Sequence, residues 1–132
     1  MVNANGTGAM RLGRREDFGS YWTLYPAWTP VWSPDGNLLA FTGPNNGYQS
    51  ALFVMPPVDG YGAVQLFVDD AEHFIGSVDD WSPDRRWIAI TRAPKDQRAW
   101  RPDVYLIAVD GTAGMVRVTS DGKASSAAFL RD

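Results

Sequence analysis

Two stretches of this chain concentrate residues able to do chemistry. Asp69-Asp70-Ala71-Glu72-His73 gathers three carboxylates beside the chain's single histidine. An oxygen-rich loop of this kind can ligate calcium, which takes about six to eight oxygens. The spacing matches no EF-hand loop, for it lacks the midway glycine and the terminal glutamate. Zinc requires more nitrogen or sulfur ligands than one histidine supplies, and the chain has no cysteine. Asp69, Asp70 and Glu72 are thus weak metal candidates. A solvated acidic loop is the expected state, and no metal or cofactor is implied.

The second stretch is Arg92-Ala93-Pro94-Lys95-Asp96-Gln97-Arg98-Ala99-Trp100-Arg101-Pro102-Asp103, in which four basic side chains surround a tryptophan. Guanidinium groups offer paired donors to a carboxylate or phosphate, and an indole offers a stacking face. The plainer expectation is a long solvated loop with Trp100 folded back over a sheet. Arg98, Trp100, Arg101 and Lys95 are the first-choice binding contacts. A third group, Phe18, Tyr21, Trp22 and Tyr25, stands beside Arg14, Arg15, Glu16 and Asp17. Exposed aromatics with a polar rim suit a peptide or a sugar; alternatively Trp22 and Tyr25 cover the first strands. Tyr48 is a further aromatic candidate in the connection 43–50, and one of Asp79 and Asp80 is expected to face an internal channel. No Gly-x-Ser-x-Gly elbow, phosphate-binding glycine loop or His-Glu-x-x-His helix is present, so no catalytic residue is assigned.

These stretches lie between segments that repeat. Val31-Trp32-Ser33-Pro34-Asp35-Gly36-Asn37-Leu38-Leu39-Ala40-Phe41-Thr42 returns as Asp80-Trp81-Ser82-Pro83-Asp84-Arg85-Arg86-Trp87-Ile88-Ala89-Ile90-Thr91, and Ala128-Phe129-Leu130-Arg131-Asp132 is a worn third copy. Trp32 to Trp81 is 49 residues and Trp81 to Phe129 is 48. A second phrase keeps step: Asn5-Gly6-Thr7-Gly8, Asp59-Gly60-Tyr61-Gly62 and Asp110-Gly111-Thr112-Ala113-Gly114. Asn-Gly and Asp-Gly admit positive φ and mark hairpins. The glycosylation sequon at Asn5 is accounted for by that turn. The apolar runs between turns predict four antiparallel strands per repeat. The first ends on the tryptophan; the others span 38–42 or 87–92, 51–55 or 104–109, and 63–67 or 116–119. No helical periodicity competes, so the chain is expected to be all-β. Trp32, Trp81 and Phe129 are expected to wedge between sheets. Pro34 and Pro83 preset the turn, and Asp35 and Asp84 hold it with local bonds.

Composition agrees. The 13 Gly and 9 Pro supply turns, and six Trp, five Tyr and six Phe suit pleated, packed faces. A net charge of −3 argues against a nucleic-acid partner. No apolar run approaches the length of a membrane helix, so no membrane insertion is expected, and residues 1–12 do not read as a signal peptide.

The order Pro30-Val31-Trp32-Ser33-Pro34-Asp35-Gly36, then an apolar Ala-Phe-Thr strand, then Asp-Gly-x-Gly, resembles the WD-like β-propeller repeat of the TolB type. The second copy departs from that pattern at Arg85, where the family has Gly, and at Asp79, where it often has Pro. The resemblance implies radially arranged four-stranded blades, usually six. It divides the chain into a partial propeller: an outer strand and connection (1–27), two blades (28–68 and 69–120) and the inner strand of a third (121–132). Between Asp35 and Met55 lie nineteen residues, 36–54, with no counterpart at either end. A fragment of a larger protein is therefore expected, with unpaired blade edges favouring self-association. The resemblance implies a non-catalytic protein- or peptide-binding module, with a bacterial periplasmic or other extracytoplasmic setting. The alternatives are a propeller piece of a larger enzyme (a prolyl-oligopeptidase- or tricorn-like peptidase, or a polysaccharide lyase) and a sensor domain of a bacterial regulator. Binding is expected on the face carrying 13–27, 43–50, 68–77, 92–102 and 119–124.

Overall fold

The computed structural model describes residues 28–45, 49–57, 62–96, 99–112 and 114–131. They form two antiparallel meanders of four strands. In the first sheet β1 (Trp28–Trp32), β2 (Leu39–Pro44), β3 (Ser50–Met55) and β4 (Val64–Val68) lie side by side in chain order. The second sheet repeats that order with β5 (His73–Trp81), β6 (Trp87–Pro94), β7 (Asp103–Ala108) and β8 (Met115–Arg117). The all-β expectation and the four-strand unit both hold.

The connections are shorter than the sequence implies. Residues 73–77 belong to β5, and β6 runs on to Pro94, because the β5–β6 ladder extends to the pair His73↔Pro94. At the other edge of the sheet β8 stops at Arg117. Thr119, expected within the strand, instead accepts the Val104 N–H on its side-chain oxygen at 3.0 Å.

Burial on both faces explains why β2 and β3 read as nearly unbroken apolar runs. Ala40, Leu52 and Val54 face the second sheet and meet Ile75, Val78, Trp81, Ile88, Ile90, Tyr105 and Ile107 in one core. Leu39, Phe41, Ala51, Phe53 and Met55 form a separate cluster on the opposite face. Phe41 and Phe53 are directly paired across the strands and stack with ring centroids 5.6 Å apart. Strand β5 departs from simple alternation. Its ladder slips between Ile75 and Ser77 and again between Val78 and Asp80, so every third residue is buried. Each slip is a bulge, which re-aims the side chains beside it. Trp81 is 1% exposed, and its Nε1–H donates to the Val31 carbonyl at 3.0 Å, joining the two sheets. Trp32, expected to act as the same wedge, is 42% exposed.

The two Ser-Pro-Asp turns are superimposable in their bonding. Ser33 Oγ donates to Asp35 Oδ1 at 2.7 Å and accepts the Leu38 N–H at 3.0 Å. Ser82 Oγ donates to Asp84 Oδ1 at 2.6 Å and accepts the Trp87 N–H at 3.0 Å. These bonds hold both aspartates below their ordinary carboxyl range, the serine hydroxyl contributing most. The fourth position needs a left-handed backbone: Gly36 has φ +72° and Arg85 has φ +63°. Glycine is free there and arginine is strained. Arg85 compensates by reaching back to pair with Asp35 of the preceding turn.

The worn third copy does not form a strand. Ser126 turns the chain with φ +57°, and residues 127–131 follow beside β5 with no β-ladder. Their backbone is held by side chains: Thr91 Oγ1 accepts Ser126 N–H at 3.0 Å, Asp79 Oδ2 accepts Ala127 N–H at 3.0 Å, and Asp80 Oδ2 accepts Phe129 N–H at 2.8 Å. Arg131 also pairs with Asp80. Phe129 is half-buried. Asp79 and Asp80, expected to leave one carboxylate facing a channel, are both engaged in this docking. The bulge between Val78 and Asp80 supplies the geometry.

Candidate functional site

Antiparallel order brings the start of β5, the end of β6, the start of β7 and the end of β8 to one end of the second sheet, opposite the Ser-Pro-Asp turn. There they surround an open cleft of about 270 Å³. Its floor is Tyr105, 8% exposed, with the Arg92 guanidinium 5.1 Å and the Arg117 guanidinium 5.8 Å from the ring centroid. His73, Arg101, Asp121 and Gly122 complete much of the wall.

Most charged groups of this wall have an opposite partner. Arg92 is not a solvated member of a basic loop; it is 7% exposed and lies within β6. Its Nε and Nη2 grip Asp69 at 2.7 to 3.0 Å, and Nη2 also reaches Asp70 Oδ2 at 3.0 Å. Burial alone would lower the guanidinium's pKa, but the Asp69 carboxylate overrides it and the net shift is upward. Asp69 is itself 1% exposed, so it is not part of a solvated acidic loop, whereas Asp70, Ala71 and Glu72 are exposed. The chain is tied down there: Asp69 N–H donates to the Ser50 carbonyl at 2.8 Å, and Gln49 Nε2 donates to the Asp69 carbonyl at 3.1 Å.

Asp70 accepts from or pairs with His73 Nδ1 at 2.8 Å, and this contact holds its carboxyl below the usual range. Asp69, Asp70 and His73 place their ligand atoms within 4.8 Å of one another. Arg92 Nη2 already bridges the two carboxylates, Asp69 Oδ1 and Asp70 Oδ2. Glu72 stands outside this trio; its carbonyl accepts the Lys95 N–H at 2.8 Å.

Asp103 organises the opposite wall. It accepts Arg117 Nη2 at 2.6 Å, Thr119 Oγ1 at 2.8 Å and Gly122 N–H at 3.1 Å. Burial favours its neutral form, yet these donors together keep its carboxyl below the ordinary value. Gly122 has φ +70°, and a side chain there would crowd Arg101 at 3.3 Å.

Of the sequence candidates, Arg101 lines this cleft, and Trp100 precedes it in the chain. Arg101 is exposed and pairs with Asp96 at 3.2 Å. Trp100 packs on Phe74 with centroids 5.9 Å apart, and its ring tip lies over Gly76, where an added Cβ would stand 3.1 Å away. It is folded back over β5 and still 58% exposed. Lys95 is exposed on the same connection. Arg98, Trp22, Tyr25 and Tyr48 lie outside the described residues, as does the expected strand within 1–27.

Tyr105, Asp103 and Arg117 were missed, yet a signal was available. The cross-strand pair Gly43↔Ala51 of the first sheet becomes Arg92↔Asp103 in the second, and Phe53↔Gln65 becomes Tyr105↔Arg117. Repeat positions that are small or apolar in one copy and charged in the other mark the cleft.

No protein family's sequence profile matches the chain. No curated protein matches it either. Among solved structures, a protein described as TolB from Agrobacterium tumefaciens superimposes with a TM-score of 0.54 and 25% identity over 72% of this chain. In fold the chain is similar to TolB. It spans 31% of that protein's length.

Proposed function

We propose that the chain is part of a TolB-like β-propeller that recognises a protein or peptide partner without catalysis, its two sheets being adjoining blades. We place the partner at the loop end of the second sheet, with Trp100 and Arg101 as anchors and Lys95 on the same connection. The observation that carries this reading is Trp100, braced against Phe74 and Gly76 and still 58% exposed, next in the chain to Arg101, which lines the open cleft. A large aromatic already fixed in position loses little entropy on binding, and Trp and Arg dominate binding hot spots.

The ionisable groups favour recognition over chemistry. A general base needs a free lone pair and a pKa near the working pH. Here Asp70 and Asp103 are pushed the other way by their donors. Likeness to TolB favours an envelope or other extracytoplasmic setting for the parent protein.

The test is selection from a displayed peptide library against the 132-residue chain, followed by titration of the enriched peptides. Trp100→Ala and Arg101→Ala should each weaken binding about tenfold or more while the melting temperature stays nearly constant. Unchanged affinity in both variants would sink the assignment of this face.

A further inference from the structure

The cleft at the loop end buries one sign of charge and shows the other. The carboxylates that build it are sunk: the side chains of Asp69 and Asp103 are 0% and 7% exposed. Two of its guanidiniums are not, for the side chains of Arg117 and Arg101 are 50% and 55% exposed. Arg92 belongs with the buried set, its donors committed to Asp69 and Asp70. Among the described residues lining the cleft, the one exposed carboxylate is Asp121, whose Oδ1 accepts the Lys123 N–H at 3.1 Å.

Asp103 ties the two exposed guanidiniums to one framework. It takes Arg117 Nη2 at 2.6 Å and the Gly122 N–H at 3.1 Å. Gly122 in turn lies against the stem of Arg101, where an added Cβ would stand 3.3 Å from Arg101 Cβ. The same turn is held again by Ala124, whose N–H donates to the Pro102 carbonyl at 3.1 Å. Arg117 is fixed further by its Nε, which donates to the Thr119 carbonyl at 2.8 Å. Its Nη1 has no hydrogen-bond partner among the described residues, so this guanidinium can take another acceptor without leaving Asp103. Arg101 pairs with Asp96 at 3.2 Å, but both side chains are exposed, and a pair of that kind contributes little and exchanges readily.

We propose, resting on the recognition role set out above, that this cleft seats a single carboxylate of the peptide partner, held between Arg117 and Arg101. A volume of about 270 Å³ falls below the range of about 300 to 1,000 Å³ of pockets that enclose a whole small molecule. One acidic side chain or one chain terminus is the matching scale. A guanidinium presents its donors in a plane that suits a carboxylate, and two of them on a fixed frame need no ordering when it arrives. Asp121 on the same wall repels the double charge of a phosphoryl group more than the single charge of a carboxylate.

The experiment follows the Gly122 N–H and the Arg117 Nε–H by NMR in the isotope-labelled 132-residue chain at low ionic strength. The probes are N-acetyl glutamate amide, with a side-chain carboxylate, N-acetyl alanine, with a terminal one, and N-acetyl glutamine amide, with neither. Saturable shifts are expected from a carboxylate probe and none from the glutamine probe, and the tighter carboxylate names the source. Arg101→Gln should weaken the response about tenfold, as should Arg117→Lys, which retains a charge for Asp103. Arg86→Gln removes an exposed charge at the turn end and should leave the response unchanged. Absence of a shift, an equal shift from the glutamine probe, equal weakening by R86Q, or tighter binding of inorganic phosphate overturns the proposal. The probes carry no aromatic group for Trp100, so the two readings fail separately. Trp100-dependent peptide capture without a carboxylate response removes the cleft assignment alone. A carboxylate response without peptide capture removes the recognition face alone.

Discussion

Replacing Asp69 with alanine isolates the contact on which the cleft is built. Asp69 and Arg92 are 1% and 7% exposed, and the guanidinium makes three of its contacts to this one carboxylate. Removing one partner of a buried pair costs about 3 to 5 kcal/mol, because the remaining charge is left without compensation. Asp70 still reaches Nη2 at 3.0 Å, so the lower end, about 3 kcal/mol, is the better expectation. For a chain of this size that is a fall of about 12 °C in melting temperature. Far-UV circular dichroism during heating, with urea titration as a check on the slope, measures it. The double variant Asp69→Ala/Arg92→Met separates pair from packing. Replacing a buried ion pair by apolar groups is often close to neutral, so the double variant should recover much of the loss. A drop of less than about 1 kcal/mol for D69A would show that water screens the pair. A double variant no better than the single one would place the stability elsewhere.

Two further perturbations test other parts of the frame. Arg85→Gly removes a left-handed arginine backbone, worth about 1 kcal/mol, and gives up an exposed ion pair to Asp35. It should raise the melting temperature by a few degrees, and a fall would mean that the bridge between turns outweighs the strain. The Asp103 carboxyl is held below its ordinary value in the folded chain. Its stabilising contribution is therefore full above the unfolded pKa of about 3.9 and is lost as pH falls through the folded value. Melting temperature recorded against pH should decline below about pH 4, and Asp103→Asn should flatten that decline. An equally steep profile in D103N would assign acid sensitivity to other carboxylates.

The frame was legible because its signals are local. Trp32 and Trp81 at fixed spacing, the Ser-Pro-Asp turns and the Asp110-Gly111 turn each follow from a short run of residues. The strand bounds at the loop end were not, since the reach of β5 to His73 depends on a partner in β6 and on two bulges. Arg92 and Asp69 were misread for a related reason. In the sequence each stands in a polar stretch, and only the fold brings together residues 23 positions apart. A charged residue within a loop-like run gives no sign that its partner will arrive from another element. Trp100 was legible as a candidate because a large indole set among arginines stands apart from the apolar strands that would bury it. Its bracing by Gly76 required coordinates.

The two sheets also show how a repeated frame makes room for a site. At the turn end the serine contacts recur at a fixed offset: Ser33 to Asp35 and Ser82 to Asp84, Leu38 to Ser33 and Trp87 to Ser82. Such contacts stabilise each repeat and carry nothing particular to one partner. At the loop end the same ladder positions diverge. Where the first sheet has Gly43, Ala51 and Gln65, the second has Arg92, Asp103 and Arg117, set around Tyr105 in place of Phe53. The ladder fixes the backbone at these positions, and the ion pairs Arg92–Asp69 and Arg117–Asp103 hold the charges at set distances. On the reading proposed above, a partner meeting this end encounters a preformed pattern of paired charges around Tyr105. Specificity must come from how well it matches that pattern, because the ion pairs are already satisfied and yield only if the newcomer replaces them bond for bond.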